Sequence, residues 1–294
     1  MAMLKKAALA VLAWSLCAAA LAQQQALPAT WFLRLPPQQA VAFRGLANFD
    51  KSGQGASSTT YMMPGIAGLA AAVAAHSLVI NRDLEEQKSA IELAAEKVLL
   101  PYRPVLDAMR HDTLLAQALA RVAPDGAARL LAFQDQDQPG WLVESTPLFA
   151  MTQDQSALVL DNAIVVYAPG ARQQAAYRNT VRVVSRASMH ADLETYWKAA
   201  QGRQLQDASA ALLALSLEIA LRQAHGGAAA PADRAAFRTV RYHEGRKEVA
   251  ERAQVLSEQC GRALISNLRG WLMSVPLPVP MPQSGADPAC AGVP

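Results

Sequence analysis

The side chains able to do chemistry are few, and their spacing argues against the familiar reactions. Five histidines, at 76, 111, 190, 225 and 243, show no metal-ligand spacing. His111-Asp112, His190-x-Asp192 and His243-Glu244 each set an imidazole beside an acid, a pairing that solvated loops and helix ends produce readily. The chain holds no G-x-S-x-G elbow, H-E-x-x-H, Walker loop or C-x-x-C pair. Two acidic loops, Asp50–Gly55 and Asp135–Gly140, match the opening of a calcium loop in part. The twelfth position, where a bidentate Glu belongs, is Tyr61 in one and Thr146 in the other. The sequence therefore assigns no catalytic residue, no metal and no cofactor, and it favours a non-catalytic role.

Arg178, Arg182 and Arg186 are the one polar pattern that stands out. On an extended chain they share one side of a strand. Together they make a candidate anion-binding face, suited to lipid, lipopolysaccharide or glycan phosphate, set against an ordinary solvated face. Arg238 and Arg241 lie in another strand-like run and join that face only if the two strands are neighbours.

Where the chain is addressed decides how its cysteines are read. Lys5 and Lys6, the apolar run Ala7–Ala19 and the Ala20-Leu21-Ala22 site form a secretory signal peptide, with cleavage between Ala22 and Gln23. Leu16 stands before Cys17 where a lipoprotein wants a small residue. Removing residues 1–22 takes away two lysines, no acid and Cys17, so Cys260 and Cys290 remain. An even count in an exported chain predicts a disulfide. Its closed loop of about 30 residues would be worth roughly 3–4 kcal/mol in the chain-entropy model.

Periodicity predicts the elements that must hold these residues. Trp31–Leu35 and Ala40–Phe43 read as short strands, followed by a Gly/Ser-rich loop over 50–60. Residues 64–80 (PGIAGLAAAVAAHSLVI) read as a buried helix, with a membrane-associated segment as the alternative. Residues 82–100 and 104–122 form a helical hairpin joined by Pro101-Tyr102-Arg103-Pro104. Trp141–Met151, Ala157–Ala168 and Tyr177–Ala187 form an antiparallel meander with one buried and one wet face. Helices return over 191–200 and 207–224, the second apolar nearly all round. Phe237–His243 reads as a strand. Glu244–Leu268 reads as a closing helix with Val249, Ala253, Leu256, Cys260 and Ala263 on its core stripe and Gly270 as its cap. From Val275 on, prolines at 276, 278, 280 and 282 predict an extended tail that is neither helix nor central strand.

Three stretches carry a resemblance: Lys97-Val98-Leu99-Leu100-Pro101-Tyr102-Arg103-Pro104-Val105-Leu106, Leu160-Asp161-Asn162-Ala163 and Asn267-Leu268-Arg269-Gly270-Trp271. In these the chain resembles an uncharacterised family of proteobacterial exported proteins. The resemblance implies a bacterial origin and no particular chemistry.

Composition bounds what remains. The 294 residues are 52% apolar and 17% charged, ample for a core and unlike a disordered or coiled-coil chain. A formal charge of +3 excludes a basic nucleic-acid binder. The expected protein is α+β, an antiparallel meander sheet packed against several helices with an N-terminal helical hairpin. Its segments are a signal peptide (1–22), N-terminal strands and loop (23–60), an α+β domain (61–274) and a proline-rich tail tied back by the Cys260–Cys290 bridge (275–294). The expected role is periplasmic binding or envelope assembly, with an envelope protein or anionic envelope component as partner. The alternatives are an envelope hydrolase with a site gathered from separated residues, or a membrane-associated protein anchored through 64–80.

Overall fold

The computed structural model describes residues 27–47, 82–135, 138–226 and 236–278. The segment 64–80, Cys290 and residues 279–294 of the tail lie outside the described residues, as does the signal peptide.

The chain is mixed α+β, and its centre is one ten-stranded, mostly antiparallel sheet. The expected meander is its middle. Strands β4 (Trp141–Met151), β5 (Leu158–Tyr167) and β6 (Tyr177–Val184) pair antiparallel in chain order. The polar turns between them hold the register. Gln155 takes a left-handed φ of 60° at the first, and Gly170 one of 73° at the second. The N-terminal strands belong to the same sheet rather than to a separate unit. β1 (Trp31–Arg34) and β2 (Ala42–Gly45) lie one after the other along β4, both parallel to it. A further strand not foreseen from sequence, β3 (Ala128–Leu131), pairs parallel outside β1.

The helices lie on one face. α1 (Arg82–Glu96) runs into a 3-10 turn (Lys97–Tyr102), then α2 (Arg103–Ala108) and α3 (His111–Val122). The second arm expected over 104–122 is thus two helices, because Met109 and Arg110 are extended between them. α4 (Leu193–His225) packs on β5, β6 and α3. Its start is capped by Asp192, which accepts from Thr195 N at 3.0 Å. Ala200, Gln201 and Gly202 all take positive φ and divide α4 into two pieces, near the boundary expected from sequence. Leu213, Leu217 and Leu221 of α4 and Leu160, Ile164 and Val183 of the sheet meet in the larger apolar core. Inside it Ser145 Oγ donates to Asn162 Oδ1 (2.8 Å), and Asn162 Nδ2 donates to Ser216 Oγ (2.9 Å), so the buried amide is satisfied.

The remainder of the chain corrects the sequence reading. Glu244–Leu268 is not a helix. β7 (Arg238–Glu244), β8 (Lys247–Gln259), β9 (Arg262–Asn267) and β10 (Leu272–Pro276) form consecutive antiparallel hairpins. Two-residue turns decide this. Gly245 (φ 65°) precedes Arg246 at one tip, and Cys260 (φ 53°) and Gly261 (φ 65°) form the next with both φ positive, the geometry that matches strand twist. The apolar residues at helical spacing do not form a stripe. Ala253 is buried, while Leu256 sits at the bulge of β8 and is exposed. Gly270 (φ 77°) closes the β9–β10 turn rather than capping a helix. Val275 and Pro276 complete β10, which lies between β6 and β9. Pro276 is its last residue, where a missing N–H costs no interior ladder bond.

These hairpins also remove the wet face expected on the meander. The sheet rolls so that Val240 and Tyr242 of β7 pack with Val159 of β5 and Val184 of β6, forming a second apolar core with Ile265 and Val275.

Gly202 tests the fold locally. Its φ is +79°, and a Cβ there would lie 2.0 Å from Val105 Cγ1. Gly202→Ala should cost about 2–5 kcal/mol through left-handed strain and overpacking. Gly126 has φ +78° with open space around it, so Gly126→Ala should cost only the conformational part, about 1–2 kcal/mol. Urea unfolding of the two variants measures the difference.

Candidate functional site

Cross-strand register brings together the densest cluster of charge. Asp161 on β5 stands directly opposite Arg182 on β6, both on the face that the hairpins cover. Arg182 Nε donates to Asp161 Oδ1 at 2.6 Å and Nη2 to Oδ2 at 2.8 Å, a bidentate pair. Arg44 of β2 adds a third bond, Nη2 to Asp161 Oδ2 at 3.0 Å. From the other side comes Glu244, at the end of β7, with Oε1 3.8 Å from Arg182 Nη1 and 3.3 Å from the donating hydroxyl of Tyr242. The Arg182 guanidinium also lies 5.7 Å from the ring centre of Trp271.

Environment splits the two carboxylates. Burial pushes Asp161 up, but the Arg182 charge, its two hydrogen bonds and Arg44 outweigh it, and Asp161 is held below the usual carboxylate range. Burial also pushes Glu244 up, the Asp161 charge adds to that, and Arg182 offsets only part, so Glu244 stays raised. Burial foremost, then the Glu244 charge, raises the Tyr242 hydroxyl as well.

Glu244 lines a cleft of about 340 Å³ shared with Leu46, Thr152, Asp154, Arg246 and Lys247. Its wall is the β4–β5 turn, which ties the fold's parts together. Asp154 accepts from Thr152 Oγ1 (2.6 Å) and Ser156 N (3.1 Å) within the turn, and from Arg246 N (2.7 Å) at the β7–β8 tip. Burial acts to raise the Asp154 carboxyl, and these donors together hold it low. A Cβ at Gly245 would fall 2.6 Å from Asp154 Oδ1, so only glycine fits this tip. Gln155 O accepts from Trp197 Nε1 (2.7 Å), and Gln153 Nε2 donates to Leu46 O (3.0 Å) and Ala95 O (3.2 Å).

Of the three arginines singled out from sequence, Arg178 and Arg182 share one side of β6, Arg186 lies two residues beyond its end, and they do not form one solvated face. Arg182 is buried in the ion network, because the rolled sheet covers that face. Arg178 and Arg186 are exposed, and Arg186 Nη2 donates to Cys260 O. They stand eight residues apart, Arg178 near the start of β6 and Arg186 just past its end. Arg238 and Arg241 lie on β7, which is not a neighbour of β6, and pair with Glu258 and Glu248. Cys260 sits in the β8–β9 turn; its expected partner, Cys290, lies outside the described residues.

The described histidines are dispersed. His111 Nδ1 lies 2.8 Å from Gln38 O, and burial lowers its pKa. His190 stacks on Tyr196, His225 stands edge-on to Trp141, and His243 faces Glu248 across the β7–β8 ladder. Asp135 Oδ2 accepts from Ala132 N, as a turn residue does. Among the described residues no group of three or more His, Cys, Asp or Glu gathers to hold a metal, and no helix is long and apolar enough to cross a membrane.

Asp161, Glu244 and Arg44 escaped sequence reasoning. The available signal was a single acid inside the apolar run Leu158–Tyr167, since a carboxylate in a doubly covered strand requires a cation opposite. Comparison with protein-family models, curated proteins and solved structures finds no match.

Arg182→Met should cost about 3–5 kcal/mol, because two carboxylates lose the buried guanidinium between them. Arg178→Met, at an exposed position, should stay within about 0.5 kcal/mol of the parent. Equal losses in denaturant unfolding would contradict the structural role of the network.

Proposed function

We propose that this chain is an exported periplasmic protein of bacterial origin that binds an envelope component rather than turning over a substrate. The observation that carries the reading is where charge resides. Asp161, Arg182, Glu244 and Tyr242 gather in one ion network inside the fold. The exposed Arg178 and Arg186 are left on the surface toward opposite ends of β6. Two cations so separated suit an extended anionic surface, such as anionic lipid or lipopolysaccharide, better than a small ion. The Cys260–Cys290 bridge and the Arg82–Val122 hairpin belong to the same reading, as a stapled tail and an N-terminal cover. So does membership of the exported proteobacterial family.

Two measurements test it. Osmotic shock should release a chain beginning at Gln23 whose intact mass rises by two hydrogens on reduction. A chain that retains residues 1–22 would overturn the address. Vesicles containing anionic phospholipid should bind the purified protein at low salt. The Arg178→Ala/Arg186→Ala double variant should bind about 30-fold more weakly, at about 1 kcal/mol for each basic residue near the surface. Equal binding by parent and variant would overturn the anionic partner.

A further inference from the structure

The ion network leaves its two carboxylates unequally served. Arg182 spends Nε and Nη2 on Asp161, so Glu244 meets only Nη1, at 3.8 Å, beyond hydrogen-bond length. The Tyr242 hydroxyl reaches Glu244 at 3.3 Å, a long contact. Yet the Glu244 side chain is only 13% exposed. A buried carboxylate with a shared cation and a second carboxylate beyond that cation is destabilised when ionised. The position of Glu244 makes this consequential. It is the last residue of β7, next to the Gly245-Arg246 tip, and that tip is fastened on its other side by the bond from Arg246 N to Asp154 Oδ2. One cleft is lined by Glu244, Asp154 and Arg246 alike.

We propose that Glu244 is a proton-operated latch: the β7–β8 tip sits tightest on the β4–β5 turn when Glu244 carries a proton, and loosens as Glu244 ionises. The charged groups around it are Arg182 on β6 and Asp161 on β5, with Arg44 of β2 behind Asp161. Lys247 stands across the tip on β8, and Asp154 and Arg246 lie at the turn contact. Burial, foremost, and Asp161 oppose the ionised form and prevail over Arg182, the Tyr242 hydroxyl on β7 itself and Lys247, which favour it. The direction follows from linkage. Glu244 is raised in the folded state, so its stabilising effect is complete below the ordinary carboxylate range and is lost as pH rises through its folded value. Asp161 is lowered and acts oppositely, its effect present above the ordinary range and lost as pH falls through its folded value. His111, lowered by burial, also loses stability on acidification. The latch is therefore read from the difference between parent and variant, not from the parent's total slope.

The experiment compares the full mature parent with Glu244→Gln, the neutral isostere, and with Asp154→Asn, which weakens the tip contact without touching Glu244. Thermal unfolding and amide hydrogen exchange at Arg246 and Lys247, corrected for intrinsic rates, are measured at about pH 4 and about pH 8. Glu244→Gln should match the parent at the lower pH and exceed it in Tm at the higher. The tip amides of the parent should exchange faster at the higher pH, by up to about tenfold for each unit by which Glu244 is raised. Glu244→Gln should abolish that difference, and Asp154→Asn should speed exchange at both pH values. A Glu244→Gln chain less stable than the parent at about pH 8, or parent tip amides with the same protection at both pH values, would overturn the latch.

Discussion

A single cross-strand pair sets the terms for half of this fold. The register of β5 against β6 places Asp161 opposite Arg182, and the bidentate contact makes both charges tolerable in an interior. Without that contact the second face of the meander would have to stay wet. With it, the last four strands can roll over and bury Tyr242, Val240 and Ile265 against Val159 and Val184. Arg44 from β2 and Glu244 from β7 join the pair, so strands far apart in the chain meet at one electrostatic point.

The β4–β5 turn is the mechanical counterpart. Its residues carry few apolar atoms, yet Gln153, Asp154 and Gln155 reach the end of β2, α1, α4 and the β7–β8 tip through hydrogen bonds. Gln155 adds a bond from Tyr102, a fully buried ring at the end of the 3-10 turn whose hydroxyl is pushed up to about 12, chiefly by burial. Polar turn chemistry and apolar burial thus cooperate. The turn holds the elements in register while the two cores contribute the favourable transfer of apolar surface. A protein organised this way has its most fully bonded charged pair inside, between Asp161 and Arg182.

The legible parts of the chain were those where local and global signals agree. In the meander, β-rich apolar runs and short polar turns point to the same pairing, and strands form at nearly the expected residues. The break in α4 was similarly visible around Ala200. The stretch after Glu244 read wrongly because Ala, Glu, Gln and Arg favour helices locally. Its strand state comes from pairing with β7 and β9 and from the two tight turns at Gly245-Arg246 and Cys260-Gly261. The arginine pattern was read with the right face and the wrong solvent, since alternation tells which side of a strand a residue takes but not what covers that side.

The sequence by itself determined composition-level facts and local ones: an apolar chain able to build a core, strand runs at 141–187, a helix starting near residue 191, and no catalytic motif. Tertiary structure alone decided that β1 and β2 lie parallel to β4, that β10 inserts beside β6, and that Arg182 faces Asp161 and Glu244 rather than water. The reason is range. Periodicity and turn chemistry act over a few residues, whereas the partners of Arg182 lie 21 and 62 positions away, where only the closing of the sheet can bring them together.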